Sequence, residues 1–182
     1  MSAGENHLEC RVVPCTVKDR PFIFISYSHS DAHCVFPVLE GIAAAGYNIW
    51  YDHGIEIHST WSDELANAII ASEVVVVFIS KNSMASQYVR SEVEFALSKN
   101  VKVLPIYLEG TGVLPPGLSL VLHTTQGIVS NDADVIASKL YRWLTHNIAQ
   151  EDGPPAFAAA ETFSTLRKHQ ALHDWYLRKS GR

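Results

Sequence analysis

Tyr88 and Glu92 stand four residues apart in a chain of 182 residues, a separation that puts both on one face of a helix. Just upstream, Val74 to Ile79 is a continuous β-branched and aromatic run of the kind that forms a strand buried on both faces. Strand, loop and first helical turns in that order bring a carboxylate and an aromatic ring to the C-terminal edge of a sheet. Open α/β sheets hold their ligands at that edge. A carboxylate there can stabilise positive charge developing on a ribosyl or nucleotide ligand, and the ring can stack on it. Glu94, about 200° further round the helix, faces elsewhere and is an internal control.

Other groupings carry less chemistry. His29, Asp31, His33 and Cys34 are close in sequence, as are His7, Cys10 and Cys15. Neither group has the CxxC or HExxH spacing of a zinc site, so no metal is expected. Lys81-Asn82-Ser83 lacks the GxxxxGK[ST] pattern of a phosphate loop. Ser80 and Ser86 show no sign of a Ser–His–acid triad.

The elements that must position Glu92 alternate between strand and helix. Phe22 to Tyr27 reads as a first buried strand, followed by Ser30 or Asp31 as a helix N-cap. Val35, Val38, Leu39 and Ile42 recur at helical spacing and the pattern stops at Gly46. Tyr47 to Tyr51 is a second strand, residues 52–60 a loop, and Trp61 to Ala71 a helix. After the Val74–Ile79 strand, Ser86 to Ser98 is helical, with Val89, Val93 and Leu97 as its inward stripe. Lys102 to Tyr107 is a fourth strand, although Pro105 inside it suits an edge or a bulge. A weaker strand lies within Leu122 to Val129, and Asp132 to Ile148 is the last helix of the domain. Alternation of this kind implies βαβ units and a parallel sheet.

Composition agrees with a globular chain: 47% hydrophobic and 18% charged residues, with a formal net charge of −5. The size suits one domain with tails: a polar leader over residues 1–20, a domain over 21–150, and a linker and helical tail over 151–182. The charge gives no hint of a nucleic-acid or membrane-surface partner. No apolar run approaches the roughly 20 residues that span a bilayer, and the N-terminus lacks the pattern of a secretory signal. Three cysteines fit a reducing, cytoplasmic setting better than a disulfide scaffold.

Five pieces in order resemble the TIR (Toll/interleukin-1 receptor) domain. They are Phe24-Ile25-Ser26-Tyr27-Ser28, then Gly46 to Asp52, then Trp61 to Leu65 with Ala68-Ile69, the strand Val74 to Ser80, and the helix Ser86 to Leu97. The resemblance covers about residues 21–148. It implies a flavodoxin-like sheet of five parallel strands ordered 2-1-3-4-5, with helices on both faces, to which this chain adds a C-terminal helix. It also splits the expected function. Many TIR domains are interaction modules that assemble through the loop after the second strand; others, including many prokaryotic ones, cleave NAD at the nicotinamide–ribose bond.

In the NAD-cleaving branch the catalytic glutamate follows an aromatic residue by four positions, which here implies Glu92 and Tyr88. Tyr27, Ser28 and His29 follow the first strand, where relatives contact the ligand; several of those carry Arg there, whereas this chain has Ser28-His29. Asp52 and Trp61 complete the candidate substrate contacts, with a loop cap as the competing role for Asp52 and a core or loop anchor for Trp61. Relatives often have Gly at the position of Ser59.

The resemblance thus implies an NAD glycohydrolase with NAD as substrate and no cofactor. Its products would be nicotinamide and ADP-ribose, a cyclic isomer or another ADP-ribosyl signal for a downstream effector. It also implies self-association through residues 52–60 and, by analogy, a role in defence signalling. The alternatives are a non-catalytic TIR adaptor and a nucleoside-processing transferase.

Overall fold

The computed structural model describes Cys15, residues 21–52 and residues 61–148. The expected leader, the loop at 53–60 and the tail with its appended helix lie outside the described residues, as does Ser59.

Five strands form where the apolar runs fall: β1 (Phe22–Ser26), β2 (Asn48–Tyr51), β3 (Val74–Ile79), β4 (Val103–Tyr107) and β5 (Ile128–Val129). All pair in parallel, in the order β2-β1-β3-β4-β5. The connecting helices are α1 (Ala32–Ala44), α2 (Trp61–Ala71), α3 (Lys81–Ala85), α4 (Gln87–Ser98), α5 (Pro116–Leu122) and α6 (Ala133–Asn147). This is the flavodoxin-like arrangement. Its strand order reverses between β1 and β3, so the chain leaves their C-terminal ends in opposite directions and opens a crevice there.

Side-chain alternation divides the core into two layers. Ile23, Ile25, Val74, Val76 and Phe78 pack with α1 and α6 through Val35, Leu39, Ile42, Ile136 and Leu140. Phe22, Phe24, Val75, Val77 and Ile79 face the other way, onto Ala68 and Ile69 of α2 and Val89, Val93 and Ala96 of α4. Every residue of β3 is buried, as a central strand covered by helices on both faces must be.

Two features depart from the sequence reading. Segments read as loop or left unassigned contain α3 and α5. The first is a five-residue helix held by a capping box between Ser80 and Ser83. The second starts after Pro115 and buries Leu118 and Leu122. Pro105 lies within a strand that has neighbours on both sides, but β5 pairs only with Ile106 and Tyr107. At Pro105 itself β4 is therefore a local edge, which tolerates the missing donor.

The capping of α6 is testable. Asp132 accepts from the backbone N–H of Asp134 at 2.9 Å and of Val135 at 3.0 Å. Asp132→Ala is expected to cost about 1 kcal/mol, read as a lower urea midpoint with an unchanged m-value. No helix among the described residues is long and apolar enough to cross a membrane.

Candidate functional site

Ser86 caps α4, its side chain accepting from the N–H of Val89. From that start the helix lays Val89, Val93 and Ala96 against the sheet. Glu92 is three residues after Val89 and four before Ala96, so helical geometry carries it to the margin of that buried stripe. It is 9% exposed, whereas Glu94 is exposed. The expected split between the two glutamates is present in the fold.

The polar partner of Glu92 is Ser26. This residue ends β1 on the same side as Phe22 and Phe24, the side that faces α4. Its hydroxyl donates to Glu92 Oε2 at 2.5 Å, with both groups buried. Burial pushes the Glu92 carboxyl up from the ordinary 4.5 to about 7; the Ser26 hydrogen bond works against that rise, and the nearby Asp52 carboxylate adds to it. Ser26→Ala removes a hydrogen bond that favours the charged form. The variant is expected to titrate Glu92 roughly one unit higher, checked by NMR titration of its labelled side-chain carboxyl.

Asp52 follows β2, which lies beside β1. Its carboxylate is 3.8 Å from His29 Nε2, and its backbone carbonyl accepts from the Tyr27 hydroxyl at 3.4 Å. Tyr27 is 8% exposed and belongs to the core layer with α1, where its ring lies 5.9 Å from Phe36 and 6.4 Å from Tyr51. It joins the end of β1 to the end of β2. His29 is exposed and its ring sits 5.5 Å from that of Tyr27. Ser28 is half-buried, and its carbonyl accepts from the Asp31 N–H.

The fold thus gathers Ser26, His29, Asp52 and Glu92 at the C-terminal edge of the sheet. Tyr88 is 57% exposed, one turn before Glu92 on α4. Trp61 opens α2, and its side chain lies outside the described residues.

Two site features escaped the sequence reading. Ser26 lies within the Phe24–Ser28 motif, where period-2 alternation puts it on the α4 side as the polar end of a buried run. The sequence offers Ser30 or Asp31 as a helix N-cap, and Asp31 does something else. It stands at the N-cap position of α1 but makes no side-chain cap there; its carboxylate instead accepts from Ser80 Oγ at 2.5 Å and Asn82 Nδ2 at 2.7 Å. Among the described residues no three His, Cys, Asp or Glu side chains converge as a metal set.

A solved TIR domain of the Toll-related receptor TRR-2 from Hydra magnipapillata superposes with a TM-score of 0.54 at 17% identity, covering 69% of this chain and 96% of that one. The TIR domains of the activated Roq1 resistosome, which recognises the pathogen effector XopQ, align at 20% identity with a TM-score of 0.45, covering 85% and 99% of the two chains. No curated protein matches significantly. A family model described as TIR domain matches residues 23–141. The chain belongs to the TIR domain family.

Proposed function

We propose that this TIR domain is an NAD glycohydrolase with Glu92 as its catalytic carboxylate. The observation that carries the reading is a buried glutamate whose carboxylate accepts from Ser26, the last residue of β1.

In the proposed reaction the bond between the nicotinamide nitrogen and ribose C1′ breaks, and its electron pair leaves with the nitrogen. The cationic pyridinium of NAD departs as neutral nicotinamide, so the leaving group needs no general acid. Positive charge grows on the ribose, as in glycoside hydrolysis. Ionised Glu92 stabilises that charge or accepts a hydrogen bond from a ribose hydroxyl, and its low-dielectric setting strengthens either interaction. Tyr88 supplies a ring for stacking one turn away. Water bonds through its oxygen to C1′ and gives up a proton to solvent, yielding ADP-ribose; a hydroxyl of the same molecule that does likewise yields a cyclic isomer, and either product is a signal for a downstream effector. His29 and Asp52 line the edge where the rest of the ligand would lie. Self-association is part of the proposal, with residues 52–60 as its contact.

The test offers NAD and free nucleosides to the purified protein across a range of protein concentrations, with products separated by chromatography. The proposal expects nicotinamide plus one ADP-ribosyl product from NAD, at a specific rate that rises with protein concentration. Turnover of free nucleosides alone would point to a transferase. Intact NAD together with binding to other TIR domains would point to an adaptor.

A further inference from the structure

Asp31 is a carboxylate with 5% exposure and no cation within ion-pair distance among the described residues. Burying such a group is costly unless donors meet it. Here two do, one on each oxygen: the Ser80 hydroxyl at Oδ2 and the Asn82 amide at Oδ1. Both donors belong to the turn after β3, whereas Asp31 belongs to the turn after β1. The bonds therefore bridge the two chain segments that diverge at the switch point.

Each bridged segment carries half of the candidate site. Ser26, Tyr27 and His29 lie within five residues before Asp31. On the other side Ser80 caps α3, and its own N–H donates to Ser83 Oγ at 2.8 Å. The α3 turn then passes through Ser86 into α4, which carries Tyr88 and Glu92. Arg90 Nη1 closes the path by donating to the Met84 carbonyl at 2.5 Å.

We propose that Asp31 is a positioning residue, whose carboxylate latches the turn after β1 to the turn after β3 and so sets the spacing between Glu92 and the ligand contacts opposite it. This deepens the reading of the site as an NAD-cleaving centre and rests on it for its catalytic consequence. The latch itself is a matter of hydrogen bonds. Asparagine at position 31 would put an amide N–H against the Ser80 or Asn82 donor, leaving a buried donor unmet. The reciprocal change at position 82 restores an acceptor.

The experiment compares wild type, Asp31→Asn, and Asp31→Asn with Asn82→Asp, all as the full chain. Two readouts are taken: amide hydrogen exchange at Asp31, Ser83, Met84 and Val89, and KM and kcat for NAD. Asp31→Asn is expected to speed exchange in both turns together and to raise KM about tenfold, with a smaller fall in kcat. The double variant is expected to regain most of both. Faster exchange in one turn only, or a double variant no better than the single one, would overturn the latch. Kinetics of the single variant equal to wild type would reduce Asp31 to a purely structural role. Wild type that releases no nicotinamide would count against NAD cleavage alone, since the exchange readout still decides the latch.

Discussion

Between pH 5 and pH 8, kcat/KM for NAD is expected to rise about a hundredfold, with unit slope below a break near 7 and a plateau above it. The reason is the Glu92 carboxyl, which burial pushes up to about 7. Only the ionised form stabilises positive charge on the ribose, and at pH 5 roughly one molecule in a hundred carries it. The profile of kcat/KM reports the free protein, and that of kcat reports the complex. Bound NAD brings its pyridinium charge towards the carboxylate, which favours ionisation. The break in kcat is therefore expected at a lower pH than the break in kcat/KM. A flat kcat/KM profile from pH 5 to 8 would exclude an ionised Glu92 as the group that matters.

Glu92→Gln is expected to make the folded protein more stable than wild type above pH 7, by about 3 kcal/mol. The folded carboxyl holds its proton up to about 7, against an ordinary value of 4.5. Between those limits the native state binds more protons than the unfolded one, so wild-type stability falls as pH rises. Glutamine does not titrate and still offers Ser26 an acceptor. The stability difference between the two proteins should be small near pH 5, grow through pH 7, and level off by pH 8. Urea unfolding at each pH measures it. A variant less stable than wild type at pH 8 would mean that the carboxylate is better paired than Ser26 alone provides. A charged group kept in a costly place is the usual stability trade-off of a functional site.

Much of the architecture was legible because the strands are apolar on both faces and the helices keep a regular stripe. Trp61–Ala71 and Val74–Ile79 have the bounds that the pattern predicts, and the order 2-1-3-4-5 followed from the TIR resemblance. The short pieces were harder. A five-residue helix such as α3 has no period to detect, and its Ser80–Ser83 box lacks the usual Glu or Gln at the third position. Two adjacent prolines are a turn signal, yet Pro116 opens α5 as a first-turn proline.

Within the site, Glu92 and Glu94 separated on helical geometry alone. The bond from Ser26 spans 66 residues of sequence and those of Asp31 span 49 and 51. No local pattern encodes contacts of that length. They arise only because parallel pairing places the ends of β1 and β3 side by side, with Ser26 in register with Val77.

The most direct test of the central claim is nicotinamide release from NAD by wild type, Glu92→Ala and Glu94→Ala at matched, high protein concentration. The account predicts release by wild type and by Glu94→Ala within about twofold of each other, and a loss on the order of 10²–10³-fold in Glu92→Ala. Release that survives Glu92→Ala, or none from wild type at any concentration, would contradict it.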